Sequence, residues 1–335
     1  MKQQQALLDI KDLHVHFKVY GGYARVLNDV NLSVFTGEKI GLVGESGCGK
    51  TTTVKSIMRV LPKQAVIAGG EILFEGQDVL RMKDKALNVL RGQKLSMIFQ
   101  DPVAALNPVF TVGKQICDAI RFSGITKGNN KSEIRKLAVK ALKECSMPDP
   151  YRILDNYPFQ LSGGMRQRVC IAMALATASS LMIADEPTTN LDVTIQDQVL
   201  HLIRDLVEKN NTALILITHS LGVAREMTDR IYVMYAGNIV EMASTEEIFE
   251  APYHPYTKGL LNSIPKLTGD GIMAGIDGYL PDYLNPPLGC RFQSRCSYAS
   301  EYCGKGKPPF IEVIPEHYVA CYRYSESWQK NKLGV

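Results

Sequence analysis

One octapeptide constrains this chain more than any other feature: Gly44-Glu45-Ser46-Gly47-Cys48-Gly49-Lys50-Thr51. It completes the pattern G-x-x-x-x-G-K-[ST], with an apolar strand from Lys39 to Val43 leading in and a helical stretch from Thr52 to Leu61 leading out. A loop that wraps phosphates must present bare backbone N–H groups, and side chains at the glycine positions would block that approach. The helix that follows turns its N-terminus toward the anion. In such a loop Lys50 neutralises the β- and γ-phosphates, and the Thr51 hydroxyl can hold Mg2+. Every position from Gly44 to Thr52 is therefore a candidate nucleotide contact.

The surroundings of the loop indicate the fold class. Further apolar strands at 95–99, 181–184 and 213–218 are separated by helical stretches, including an amphipathic one from Ser132 to Glu144. That alternation predicts an α/β fold with a mostly parallel sheet covered by helices. Functional residues then belong at the C-terminal ends of the strands. Asp185 ends one of them and is placed to organise Mg2+; Glu186 follows as the candidate general base for an attacking water. Gln100 and His219 end two others. Each has two readings, a polar residue satisfied locally or a side chain that reaches the γ-phosphate, the metal or the water. Residues 7–33 read as short strands around Tyr20-Gly21-Gly22-Tyr23.

The 335 residues suit one large nucleotide-binding domain plus an appendage, or two medium domains. With 38 basic and 34 acidic residues the net charge is +4, too balanced to argue for a nucleic-acid partner. The longest apolar run, Val169 to Ala184, falls short of the roughly 20 residues a spanning helix needs. Met1 to Ile10 carries no signal-like apolar core. A membrane, if involved, would be reached through a partner.

Leu161-Ser162-Gly163-Gly164-Met165-Arg166-Gln167-Arg168 resembles the signature motif of ABC transporter ATPases. Ser162 and two glycines at a helix N-terminus make an anion nest. The resemblance covers about residues 7–261 and implies a P-loop NTPase of ABC ATPase type: a mostly parallel core, an antiparallel β subdomain, and a helical subdomain at about 101–175. It further implies that Ser162, Gly163 and Gly164 meet ATP held by the opposite subunit of a head-to-tail dimer. Gln100 then matches the Q-loop, Asp192 in Asn190-Leu191-Asp192 the D-loop, and His219 the switch histidine. Phe17 is similar to the aromatic that stacks on adenine, with Tyr20 and Tyr23 as rivals. Phe159 stands where close relatives often have His.

Within the family the chain is similar to the ATPases of oligopeptide, dipeptide and nickel importers. The similarity rests on Val43 to Lys50, on Phe99-Gln100-Asp101-Pro102 with Leu106-Asn107-Pro108, and on His254-Pro255-Tyr256-Thr257. It implies a homologous second ATPase, two transmembrane permeases docking near residues 101–111, an external solute-binding protein, and a place at the cytoplasmic face of the membrane. Peptide is the expected cargo, with nickel or an oligosaccharide as alternatives. A soluble ABC-type ATPase of DNA repair or ribosomes would carry coiled-coil insertions or two fused cassettes, and neither is present. A redox-gated ATP-binding regulator is the alternative from another class.

The eight cysteines divide in two. Cys48, Cys117, Cys145 and Cys170 are scattered and read as ordinary thiols of a reducing compartment. Cys290, Cys296, Cys303 and Cys321 crowd an irregular extension, 263–335, set apart from a cassette at 1–262. Their spacing alone leaves a metal site, plain thiols and disulfides open. Resemblance to the importer ATPases implies a 4Fe-4S cluster there, with zinc as runner-up, and Arg291, Arg295 and Lys305 offsetting its charge. On this reading, unfolding the tail should leave nucleotide binding near normal.

Overall fold

The computed structural model describes residues 5–126, 130–177, 179–189, 191–264 and 275–325. Asn190, the first part of the Gly- and Pro-rich 269–289 connection and the last ten residues lie outside these. Among the described residues twelve strands run in chain order: β1 Leu8–Val19, β2 Gly22–Val34, β3 Lys39–Val43, β4 Ala65–Phe74, β5 Gln77–Asp78, β6 Leu95–Ile98, β7 Leu181–Asp185, β8 Ala213–Thr218, β9 Arg230–Tyr235, β10 Asn238–Ser244, β11 Phe310–Ile314 and β12 His317–Ala320. The described chain divides into two compact units, one built mainly from Arg81–Ile217, the other from Gln5–Val34, Ile40–Leu80 and everything from Thr218 onward.

In the first unit β6, β7 and β8 lie side by side in that order. All are parallel, with Leu95 opposite Leu181 and Leu181 opposite Ala213. Every residue of β7 and β8 is buried, as expected of parallel strands covered on both faces. Between β6 and β7 the described chain is mostly helical. The helix Val112–Ser123 starts where the Thr111 hydroxyl accepts from the Lys114 amide and stops at Gly124, whose φ of 74° suits a left-handed cap. Its buried Val112, Ile116 and Ile120 recur at the i, i+4 spacing that makes one apolar stripe. The helix Lys131–Glu144 begins at Asn130, whose side chain accepts from the amides of Ser132 and Glu133.

The second unit holds an antiparallel sheet in the order β2-β1-β4-β5 and a mixed array in the order β11-β12-β10-β9-β3. β3 and β9 are parallel; β9, β10, β12 and β11 are antiparallel. The short strands read in 7–33 are two long ones, of 12 and 13 residues, joined at Tyr20-Gly21. Register shifts between Ile10 and His16, and left-handed backbone at Asp12 and Asp29, break the apolar alternation that would have revealed their length.

The tail also differs from the irregular segment the sequence suggests. Residues 310–320 form a hairpin, with Pro315 and Glu316 at the turn and Glu316 at φ 65°. β12 pairs with β10 through Glu241 opposite Val319. The second unit's core gathers Val43, Val233, Tyr235, Tyr256 and Phe292, so cassette and tail residues share one apolar cluster.

Candidate functional site

The loop from Gly44 to Gly49 leads into the helix Lys50–Ile57. Gly44 has φ 151°, and a Cβ there would lie 2.1 Å from the Met234 carbonyl oxygen, so no other residue fits. The Lys50 ammonium curls over the loop, donating to the carbonyls of Gly44 at 2.7 Å and Glu45 at 2.9 Å. That places a buried cation at the loop's centre, the position from which it can meet phosphate oxygens. Cys48 is buried beside it, and burial pushes its thiol above the ordinary value, which keeps it neutral. Gly47 and Gly49 are left-handed, while Ser46 is exposed and Thr51 and Thr52 half-buried.

Asp185 ends β7 and is 2% exposed. Glu186 follows at φ 46°, with its amide donating to the Ile217 carbonyl at 3.0 Å. The kink turns its carboxylate toward Gln100, whose amide donates to Glu186 Oε2 at 2.8 Å; the Thr189 hydroxyl donates to the same oxygen at 3.1 Å. The structure therefore brings Gln100 and Glu186 together, a pairing no spacing rule revealed. A carboxylate held by two donors at the end of a strand is placed where a general base belongs. Asp185 supplies the hard oxygen chemistry Mg2+ prefers, as would the Thr51 hydroxyl.

Ser162 is the N-cap of the helix Gly163–Leu175, its Oγ accepting from the Met165 amide at 3.3 Å. Ser162 and Gly163 are exposed. A Cβ on Gly164 would lie 2.8 Å from Ile195 Cγ2, so this glycine permits close packing on the helix Val193–Asn210 that Asp192 begins. Signature and D-loop thus lie together, and Asp192 is exposed. Arg166 and Arg168 are anchored to the carbonyls of Pro158 and Cys145. Phe159 is exposed and stacks on Tyr157.

In the second unit His219 is exposed just past β8, before the helix Leu221–Met227 that Ser220 caps. Phe17 is half-buried on β1, opposite Ala24 on β2 and Ala65 on β4, while Tyr20 and Tyr23 are exposed around the hairpin turn.

All eight cysteines are free. Among the described residues no three His, Cys, Asp or Glu side chains converge as a metal-ligand group, so the expected four-cysteine cluster site is not formed as such. The tail thiols are nevertheless neighbours. Burial pushes Cys290 up to about 12 and Cys321 up to about 11; proximity to other tail cysteines adds to both shifts. The backbone at Phe292, Tyr298 and Arg323, two residues further on in each case, pulls the thiols of Cys290, Cys296 and Cys321 back down against that burial.

The arginines assigned to offset cluster charge do other work. Arg291 donates to the carbonyls of Ala236 and Arg25. Arg295 donates to Glu45 of the phosphate loop at 2.9 Å, and Lys305 sits over the Tyr302 ring. Tyr256 and Tyr283 also touch the loop. The three contacts to the loop have no sequence signal, since 211 to 250 residues separate the partners.

Comparison with known proteins fits this geometry. The family model described as ABC transporter matches residues 27–189, and that described as Oligopeptide/dipeptide transporter, C-terminal region, matches 240–303. A model described as AAA domain, putative AbiEii toxin, matches 156–225. A probable peptide ABC transporter ATP-binding protein of Sinorhizobium fredii is 46% identical over 96% of both chains. The dipeptide transport ATP-binding protein of Bacillus subtilis is 44% identical over 95% of both, and the oligopeptide transport ATP-binding protein of Escherichia coli 42% over 96% of this chain and 94% of its own. An ATP-binding cassette solved as a post-hydrolysis dimer with ADP and Pi superimposes with a TM-score of 0.64 at 27% identity, over 71% of this chain and 98% of that one. With a phosphate loop, a buried strand-end acid and a signature helix in place, the chain belongs to the ATP-binding proteins of ABC transporters and is an ATPase of that family.

Proposed function

We propose that this chain powers import of dipeptides or oligopeptides through partner permeases. The observation that carries the reading is near-identical length and 42–46% identity to peptide-transport ATP-binding proteins, joined to the match of 240–303 with the oligopeptide/dipeptide C-terminal region. The cassette is taken as 1–262, with a helical subdomain at about 101–175, and the extension as 263–335. Among the described residues no helix is long and apolar enough to cross a membrane. That suits a subunit bound peripherally, at the cytoplasmic face, to two permeases and a second ATPase, with an external solute-binding protein delivering cargo.

The assigned roles follow from the chemistry on each unit. Gly44 to Thr52 wraps the ATP phosphates, with Lys50 on their β- and γ-oxygens and Phe17 stacking on adenine. Thr51, Gln100 and Asp185 hold Mg2+, which neutralises charge on the phosphates. Glu186 takes a proton from the attacking water, Gln100 orients that carboxylate, and His219 steadies the γ-phosphate. Ser162, Gly163 and Gly164 serve the ATP of the opposite subunit, with Asp192 at that junction. In the tail, Cys290, Cys296, Cys303 and Cys321 would hold a 4Fe-4S cluster or, second, zinc. The mutual proximity of the four thiols supports this, and it calls for the side chains to close from their present spacing. Anaerobic purification with iron, sulfide and zinc assays decides it; absence of all three in freshly purified protein would remove the metal from the tail.

Transport is tested by uptake in source cells lacking this chain. Loss of labelled di- and oligopeptide uptake, restored by the wild type and not by Lys50→Ala, supports the reading. Unchanged peptide uptake with loss of nickel or oligosaccharide uptake would overturn it.

A further inference from the structure

Glu45, the second residue of the phosphate loop, is held by three separate partners. Its amide donates to the Tyr256 hydroxyl at 2.9 Å, its carbonyl accepts from Lys50 Nζ at 2.9 Å, and its carboxylate accepts from Arg295 Nη1 at 2.9 Å. Arg295 belongs to the C-terminal tail, one residue before Cys296. Its side chain is 4% exposed, and the guanidinium is fixed on its other edges by the carbonyls of Asp277 at 2.7 Å and Ile276 at 2.8 Å. It also lies over the rings of Tyr235 and Phe292, 5.7 and 6.0 Å from their centroids. Those two rings and Tyr256 pack together with centroids 4.6 to 5.4 Å apart.

A second contact comes from the same tail. The Tyr283 hydroxyl donates to the Gly47 carbonyl at 2.8 Å, and the Tyr283 carbonyl accepts from the Arg25 amide on β2 at 2.7 Å. The tail therefore grips the loop at two of its residues, once through charge and once through backbone. A guanidinium locked by two carbonyls loses little freedom in holding a carboxylate, unlike a surface ion pair between two mobile side chains. Burial works against the charge on Arg295, and the hydrogen bonds it donates to Glu45 and Tyr235 outweigh that, leaving its pKa above the ordinary value.

We propose that the C-terminal tail braces the phosphate-binding loop through Arg295 and Tyr283, which makes Arg295 a positioning residue for nucleotide binding. The proposal rests on the reading of Gly44 to Thr51 as the ATP loop. A loop held in its phosphate-binding shape before ATP arrives has less ordering to do on binding. Releasing Glu45 should weaken affinity and leave the hydrolytic groups of the other unit unchanged.

The test measures Kd for MgATP by calorimetry, and KM and kcat for hydrolysis, on the full chain. It compares wild type, Arg295→Gln, Glu45→Gln, the double variant and Lys50→Ala. Each single variant is expected to raise Kd and KM about tenfold with kcat at saturating ATP within about twofold, and the double to be no weaker than the worse single. If Arg295→Gln does not fold, Arg295→Lys, which keeps the charge and loses the fork, takes its place beside Glu45→Gln. Kd within about twofold of wild type in Glu45→Gln, or effects that multiply in the double variant, would overturn the brace. Wild type that binds no MgATP, or Lys50→Ala that binds as wild type, would instead sink the ATP-loop reading beneath it.

Discussion

Glu186 occupies a left-handed backbone position at φ 46°, a conformation that costs a non-glycine residue on the order of 1–3 kcal/mol. The kink aims the carboxylate at the donors on Gln100 and Thr189. Glutamine at this position can occupy the same space but cannot take a proton. Glu186→Gln should therefore cut hydrolysis by about 100-fold or more while ATP still binds, and should trap an ATP-bound dimer in size-exclusion chromatography. Turnover at near wild-type rate would remove Glu186 from the role of base. At Gln100 the expected loss is smaller, because alanine there removes one donor to Glu186 and one Mg2+ ligand but leaves the base in place with Thr189 still donating to it; a rate equal to that of Glu186→Gln would mean that the base depends wholly on Gln100. The acid pair was legible because a buried strand must end in something polar. Gln100's partner was not, since a hydrogen bond across 86 positions leaves no mark on local pattern.

The hairpin β11–β12 and the short helix Pro255–Asn262 depend on one buried carboxylate. Glu241 and His317 are both 0% exposed and 2.8 Å apart, and Glu241 also accepts from the amides of Tyr253 and His254. His317→Ala removes one donor from a buried acid and should lower unfolding free energy by roughly 2–3 kcal/mol, read as a fall in the denaturant midpoint. His254 adds a pH dependence. Its Nδ1 accepts from the Tyr256 amide at 3.0 Å, and burial lowers its pKa to about 4, against a smaller opposing pull from Glu241. The unfolded chain binds the proton near pH 6.5 and the folded one near 4, so stability is full above 6.5 and falls as pH drops through that window. His254→Asn keeps a capping acceptor without the titration, so its stability should be flatter from pH 6.5 to 4 in thermal melts; an unchanged slope would assign the acid loss elsewhere. Much of this architecture was hidden in the sequence. Short strands such as 181–185 announce themselves as unbroken apolar runs, whereas β1 and β2 are interrupted by bulges, and the first strand of the tail hairpin, Phe310 to Ile314, is short and has no apolar–polar alternation to stand out beside four cysteines.

At the scale of the whole molecule the decisive fact is that the signature groups face outward. Ser162 and Gly163 are exposed at the start of a helix of 13 residues, and Lys50 belongs to the other compact unit of the chain. On the proposed reading this exposed helix start takes a phosphate presented from outside, as a head-to-tail ATPase dimer would provide. Two substitutions therefore separate cleanly. Lys50→Ala removes phosphate affinity from the chain's own loop, so it should abolish ATP binding by the isolated subunit. Gly163→Asp puts a carboxylate where the partner's γ-phosphate would come, so it should leave that binding intact while eliminating ATP-driven dimerisation and cooperative hydrolysis. Calorimetry of the monomer and light scattering of Glu186→Gln chains with and without Gly163→Asp make the comparison. If Gly163→Asp weakens monomer binding as much as Lys50→Ala, the signature serves the chain's own nucleotide and the trans arrangement is wrong. If the dimer still forms with ATP, the signature is not part of its interface. A Cβ at position 163 would lie 3.8 Å from Leu191 Cδ2, an ordinary van der Waals contact, so the aspartate enters without displacing that neighbour.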